Sequence, residues 1–206
     1  MLRYAFRAVP WWRLAAATGL VLVLMEVVRR WPWTMWPLQG CAVGVVAAAT
    51  LWCFDEPSAD IVDVTPRPLA WRTAARASGV LLVALAWGAT VLLARSSLFD
   101  HASDVALQGF AALLAAASFA TWRRAGGTAV PARASAALVV VVAAFCGLVR
   151  PGFDLLPLFP YADGSGNAGD WATSRVLWAS LAGVAVVGLM TALADVRWWR
   201  WGGSQM

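Results

Sequence analysis

The chain contains no lysine: all 16 of its basic residues are arginine, set against 11 acidic residues and one histidine. Only 13% of its 206 residues are charged, where a soluble domain carries about a quarter. The single histidine, His101, excludes the paired axial ligands of a membrane cytochrome and the several ligands of a zinc enzyme. Cys41, Cys53 and Cys146 make no CxxC pair and lie in or beside apolar stretches, as thiols packed like small apolar groups do, so neither a disulfide nor a metal site is expected. There is no GxxxxGK[ST], so the chain binds no ATP in a P-loop of its own. GxSxG and HExxH are missing too, and with no acid, base and nucleophile set in view the chain reads as a non-enzyme without a cofactor or metal of its own.

What is abundant is apolar: 61% of residues, with a mean hydropathy of +0.69. These residues arrive in blocks and show no one-sided or alternating pattern, so lipid is their expected solvent. Six blocks predict an all-α polytopic membrane protein, a single transmembrane domain over 1–206 with spans near 11–28, 38–54, 77–94, 105–122, 134–149 and 176–194. The first block ends in Met25-Glu26-Val27-Val28-Arg29-Arg30 with no small-x-small cleavage site, and reads as a retained span.

Orientation follows from the arginines. With six spans both termini share a side, and that side holds Arg3, Arg7, Arg13, Arg67, Arg72, Arg76, Arg123, Arg124, Arg133, Arg197 and Arg200. The other side holds Arg29, Arg30, Arg95, Arg150 and Arg175, so the positive-inside rule puts both termini in the cytoplasm. Tryptophan gives an independent check, because its amphipathic ring prefers the headgroup level: of 14 tryptophans only Trp87 and Trp178 fall inside spans. Arginine spread between apolar blocks also argues against nucleic acid as a partner. The arginine-only basic set, beside much Ala, Val and Leu, points to a genome biased toward GC-rich codons.

Gly164-Ser165-Gly166-Asn167-Ala168-Gly169 matches GxGxxG, but no strand precedes it and it falls on the outer side. As a calcium loop starting at Asp163 it fails too, with Ala168 at the sixth position and Ser174 at the twelfth. It reads as a flexible outer loop. Before it, Pro151 to Tyr161 is too apolar for a free loop and too broken by proline to span, so the segment 151–171 is expected to dip into or lie along the outer interface.

Ionisable groups are scarce within the spans, which disfavours an ion-driven transporter. Glu26 is the clear exception, either a substrate or ion contact or a helix-surface partner of Arg29 and Arg30. Gly40 and Gly44 form a small-xxx-small pair that allows close helix packing, within the chain or across a dimer. At the N-terminus, Arg3 and Arg7 share a helical face beside Leu2, Phe6 and Val9, as in a short interfacial helix or a disordered basic lead.

The most unusual segment is the loop 55–76, which runs acidic, then proline, then arginine. Asp55 or Glu56 can cap a short helix with Pro57 in its first turn, and Thr65 before Pro66 ends it. On that helix Asp60 and Asp63 lie on one face, and Arg72 and Arg76 follow at the entry to the third span, within reach of anionic headgroups beside Trp71. This is either a solvated loop with a basic anchor or a docking helix for a cytoplasmic partner.

Together these features resemble the permease subunit of type-2 ATP-binding-cassette exporters, of the small actinobacterial kind. The resemblance implies a coupling helix between the second and third spans, carried here by Asp60, Asp63, Thr65, Pro66 and Arg67. It implies a separate cytoplasmic ATPase that holds ATP and Mg, a second permease copy or homologue beside this one, surrounding membrane lipids, and export of a hydrophobic or amphipathic compound. The same spans and docking loop would also serve an accessory or scaffold subunit of a larger membrane complex.

Overall fold

The computed structural model describes residues 8–56, 69–149, 157–160 and 168–195. They form six helices: α1 (Trp11–Arg30), α2 (Met35–Cys53), α3 (Leu69–Ala94), α4 (Ala102–Ala125), α5 (Ala132–Leu148) and α6 (Ala168–Asp195). Short 3-10 turns at Pro32–Thr34 and Arg95–Ser97 join α1 to α2 and α3 to α4, and there is no strand among the described residues. Two prolines mark helix starts: Pro37 lies in the first turn of α2 and Pro131 is the N-cap of α5, positions where a missing N–H costs no internal bond. In α4, Asp104 in the first turn and Arg123 and Arg124 in the last oppose the helix dipole. Gly127, at φ +85°, then turns the chain toward α5.

Five of the helices are long and apolar enough to cross a membrane. The exception, α5, has 17 residues, about 26 Å at ~1.5 Å per residue and near the lower limit for a span. Large apolar side chains such as Leu85, Leu92, Val184, Val187 and Met190 stand exposed on the outer faces of α3 and α6. In water such a surface would drive aggregation, and in a bilayer it is the lipid contact. The chain is an all-α, multi-pass membrane protein.

The axis of the bundle is α2, buried at 14 of its 19 residues. Around it pack α1, α3, α4 and α5, while α6 lies chiefly on α4. Small residues set these approaches, as lipid-embedded helices require. A Cβ on Gly40 would come within 2.7 Å of the Ala143 carbonyl oxygen, and one on Gly44 within 2.9 Å of the Ala143 Cβ, so this glycine pair seats α5 within the chain. Gly109 of α4 makes room for the ring of Trp87 from α3. Gly188 of α6 lies against Ser118 of α4, and its carbonyl accepts a 2.8 Å bond from Trp122 Nε1.

Helices α3 and α6 both start earlier than their apolar blocks, at Leu69 and Ala168 where 77 and 176 were expected. Their extra turns carry Arg72, Arg76 and Arg175, which no apolar count admits to a span. Each is held by a carboxylate from another helix end. Because of the early start of α6, the last residues of the segment 151–171 are helical.

Candidate functional site

At one end of the bundle, Glu56 is the hub of a buried ion cluster. Following the last turn of α2, its carboxylate meets Arg76 at 3.0 Å, Arg72 at 3.4 Å and Arg124 in a short contact, drawing together the start of α3 and the end of α4. All four side chains are less than a tenth exposed. The backbone continues the connection: Glu56 N–H donates to the Ala129 carbonyl at 2.9 Å, and Arg76 Nη1 donates to the Asp55 carbonyl at 2.9 Å. Asp55 Oδ1 accepts the Ala132 N–H at 2.9 Å and so caps the N-terminus of α5 from another element. Its other oxygen lies 3.9 Å from Arg13 on α1. Burial pushes the Asp55 carboxyl up, against the pull of the Ala132 N–H, Arg13 and Arg76. A charge cluster taken this far from water stabilises only when complete, because each remaining partner is stranded when one is removed.

The opposite end holds a polar network of a different kind. Gln39 of α2 donates through Nε2 to Gln108 Oε1 of α4, both fully buried. The Leu158 carbonyl accepts from Trp178 Nε1 at 2.8 Å, Ser174 Oγ at 3.1 Å and Gln108 Nε2 at 3.4 Å. Beside it, Arg175 of α6 grips Asp104 of α4 through two bonds of 2.6 and 3.1 Å. His101 Nδ1 lies 3.3 Å from the same carboxylate, and its ring stacks on Trp171 at 3.8 Å. Both tryptophans placed inside spans by the sequence have their indole N–H bonded, Trp178 here and Trp87 to the Ala106 carbonyl at 3.1 Å, as buried indoles require.

Between the two ends lies an apolar cavity of about 420 Å³. Val43, Gly44, Ala47 and Leu51 of α2 wall it on one side and Ala112, Ala116 and Phe119 of α4 on another; α5 and α6 complete it, with Leu158, Phe159 and Trp178 across one end. No charged residue lines it.

The residues expected to dock a partner, Asp60, Asp63, Thr65, Pro66 and Arg67, lie outside the described residues, as does the N-terminal stretch with Arg3 and Arg7. Just outside the docking segment, Arg72 and Arg76 do not reach toward headgroups. They are buried on Glu56, because that carboxylate is the cheaper solvent for a guanidinium beside an apolar interior. Glu26 binds Arg29 at 2.7 Å and Arg30 at 2.8 Å on an exposed face, which is the helix-surface pair. Glu26→Gln is therefore expected to leave stability close to that of the wild type. Thermal unfolding in detergent checks this, and a larger drop at equal expression would make Glu26 more than a surface partner.

Sequence reasoning missed Glu56 as a hub, the Asp104–Arg175 pair and the Gln39–Gln108 bridge. One signal was there: Leu38-Gln39-Gly40 and Leu107-Gln108-Gly109 repeat the same tripeptide near the same end of two spans. Asp104 and Arg175 likewise flank predicted spans on one side. No protein-family model, no curated protein and no solved structure matches this chain. Fold and site thus define a class, a multi-pass helical membrane protein with an intramembrane apolar cavity between two polar ends.

Proposed function

We propose that the chain is the transmembrane subunit of an ATP-driven exporter of a hydrophobic or amphipathic compound, working with a separate cytoplasmic ATPase. It would lie in a bacterial plasma membrane with the Glu56 end and both termini in the cytoplasm, as the arginine balance favours. The observation that carries the reading is the anchoring of the segment 57–68. At its start, Glu56 is bound to α3 and α4 and Asp55 to α5; at its end, the chain enters α3 directly at Leu69. A push on that segment is delivered through the buried Glu56–Arg124 ion pair to α4 and through the Asp55–Ala132 hydrogen bond to α5, two of the helices that wall the cavity. An apolar cavity without a charged lining suits an amphipathic cargo better than a small polar solute.

In this reading Asp60 and Asp63 meet basic groups on the ATPase. Reversing both to Arg is expected to leave membrane insertion intact and to weaken ATPase association through like charges at the contact. Co-purification in mild detergent at matched expression measures it. Absence of any P-loop ATPase with the wild-type chain would sink the exporter reading in favour of an accessory subunit, and equal recovery with the double variant would show only that these acids are not the contact.

A further inference from the structure

We infer that Pro157–Pro160 is a plug that stops one end of the cavity, latched through a single carbonyl, and that separating α4 from α6 releases it and joins the cavity to water. Its use in a transport cycle rests on the exporter reading, but the seal and its latch are properties of this chain alone.

The plug follows from what its sequence forbids. Proline at both ends of Pro157-Leu158-Phe159-Pro160 removes two backbone donors and biases Phe159 out of the α region, so these four residues lie in the bundle without joining a helix. Phe159 is nevertheless only 5% exposed. Its ring tilts against Trp178 of α6 at 5.7 Å between centroids, and a Cβ on Gly40 of α2 would touch it at 3.4 Å. The ring therefore bridges α2 and α6, and together with Leu158 it lines the cavity. Gly40, Gln108 and Ser174, which meet this segment, all lie toward the N-terminal ends of their helices, so the stopped end is the one opposite Glu56.

The latch is the Leu158 carbonyl. It accepts from Trp178 Nε1 at 2.8 Å and Ser174 Oγ at 3.1 Å, both on α6, and from Gln108 Nε2 at 3.4 Å, on α4. Gln108 Nε2 also donates to Ser174 Oγ at 3.3 Å, so one carbonyl is tied to two helices and those helices to each other. Every donor is a side chain. Releasing the carbonyl therefore breaks no hydrogen bond within α4 or α6, and the helices can stay whole while the plug leaves.

What releases it is set by where the donors stand. Helix α6 rests chiefly on α4, and the donors come from both, so α6 cannot move off α4 without giving up part of the set. The Arg175–Asp104 pair joins the same two helices, one residue from Ser174 and four from Gln108. That pair and the latch are neighbouring links across one helix contact, and a separation that breaks the first strains the second.

The test uses the full chain, purified without any ATPase and placed in phosphatidylcholine nanodiscs, which leave both faces open to reagent. Cys146 lines the cavity and serves as the reporter, with Cys41 and Cys53 replaced by alanine. The probe is a methanethiosulfonate carrying a quaternary ammonium, whose charge keeps it out of hydrocarbon and makes it need an aqueous path. The protein with its plug intact is expected to react slowly, at a rate set by the small released fraction. Trp178→Phe removes the shortest bond and Ser174→Ala another; each should raise the rate roughly tenfold, because the rate follows the released population and one buried hydrogen bond shifts it by about that factor. Ser174→Thr, which keeps the hydroxyl, should restore the slow rate. Asp104→Asn, which loosens α6 from α4 and removes no donor from the carbonyl, should also raise it. Leu181→Ala cuts away cavity lining on α6, removes no donor either, and should leave the rate unchanged, which separates a lost bond from lost volume. Fast labelling with the plug residues intact would overturn the plug. Unchanged rates in Trp178→Phe and Ser174→Ala, or an equal rise in Leu181→Ala, would overturn the latch, and an unchanged rate in Asp104→Asn would overturn its release by helix separation. Ser174→Ala only removes an oxygen, so it keeps the test decisive if Trp178→Phe does not fold. None of these outcomes involves an ATPase, so the plug can fail while the exporter reading stands, and the reverse.

Discussion

Replacing Glu56 with glutamine is expected to destabilise the folded protein by about 3–5 kcal/mol, the range for removing one partner of a buried ion pair. The carboxylate is shared by Arg72, Arg76 and Arg124, all in the interior, and the substitution takes from all three the negative charge they converge on. Glutamine has nearly the same shape, so the loss measures charge and not packing. Arg13 offers a contrast, since it is 43% exposed and 3.9 Å from Asp55. Arg13→Gln should change stability by less than ~1 kcal/mol. Thermal unfolding of the detergent-purified variants, followed by near-ultraviolet circular dichroism, compares the two. Equal melting of Glu56→Gln and wild type would mean that water reaches the cluster, and that the end of the bundle is not the rigid anchorage argued above.

Gly109→Ala is the second substitution with a large expected effect, although it adds one methyl group. The new Cβ would fall 2.1 Å from Cε2 and 2.2 Å from Nε1 of Trp87. That ring is fully buried and tied to the Ala106 carbonyl, so it cannot swing aside as the end of a flexible side chain would. A loss of about 3 kcal/mol, at the upper end for overpacking, is expected. If the cause is this one contact, Trp87→Leu in the Gly109→Ala background should restore part of the stability, a coupling visible in a double-mutant cycle. Strict additivity of the two single effects would show that the glycine matters for another reason.

The helical fold was legible in the sequence because lipid imposes a crude and therefore readable rule: an apolar block long enough to span becomes a helix. The same rule misplaced the starts of α3 and α6. An apolar count rejects Arg72, Arg76 and Arg175, and the structure admits them on the strength of carboxylates far away in the chain. Glu56 finds Arg72 16 positions on and Arg124 68 positions on. Nothing local distinguishes these arginines from Arg123, which stays exposed beside Arg124. The glycine pair at Gly40 and Gly44 was visible as a packing device, but its partner Ala143 was not, because small-residue spacing says how close a helix can come and not which one does. The cavity was invisible for a related reason. It is the space left where α5 and α6 each pack on another helix, and its lining of Val, Ala, Leu and Phe is composed like the rest of the core.

The functional account stands on one geometric requirement, that the segment anchored by Glu56 faces the cytoplasm, where an ATPase can reach it. With Cys41, Cys53 and Cys146 replaced, single cysteines at Ser58, in that segment, and at Ser96, exposed in the turn between α3 and α4 at the other end, report the two sides. An impermeant maleimide applied to intact cells is expected to label Ser96→Cys at once and Ser58→Cys only after permeabilisation. Labelling of Ser58→Cys in intact cells, with Ser96→Cys protected, would put the segment outside and contradict the exporter account.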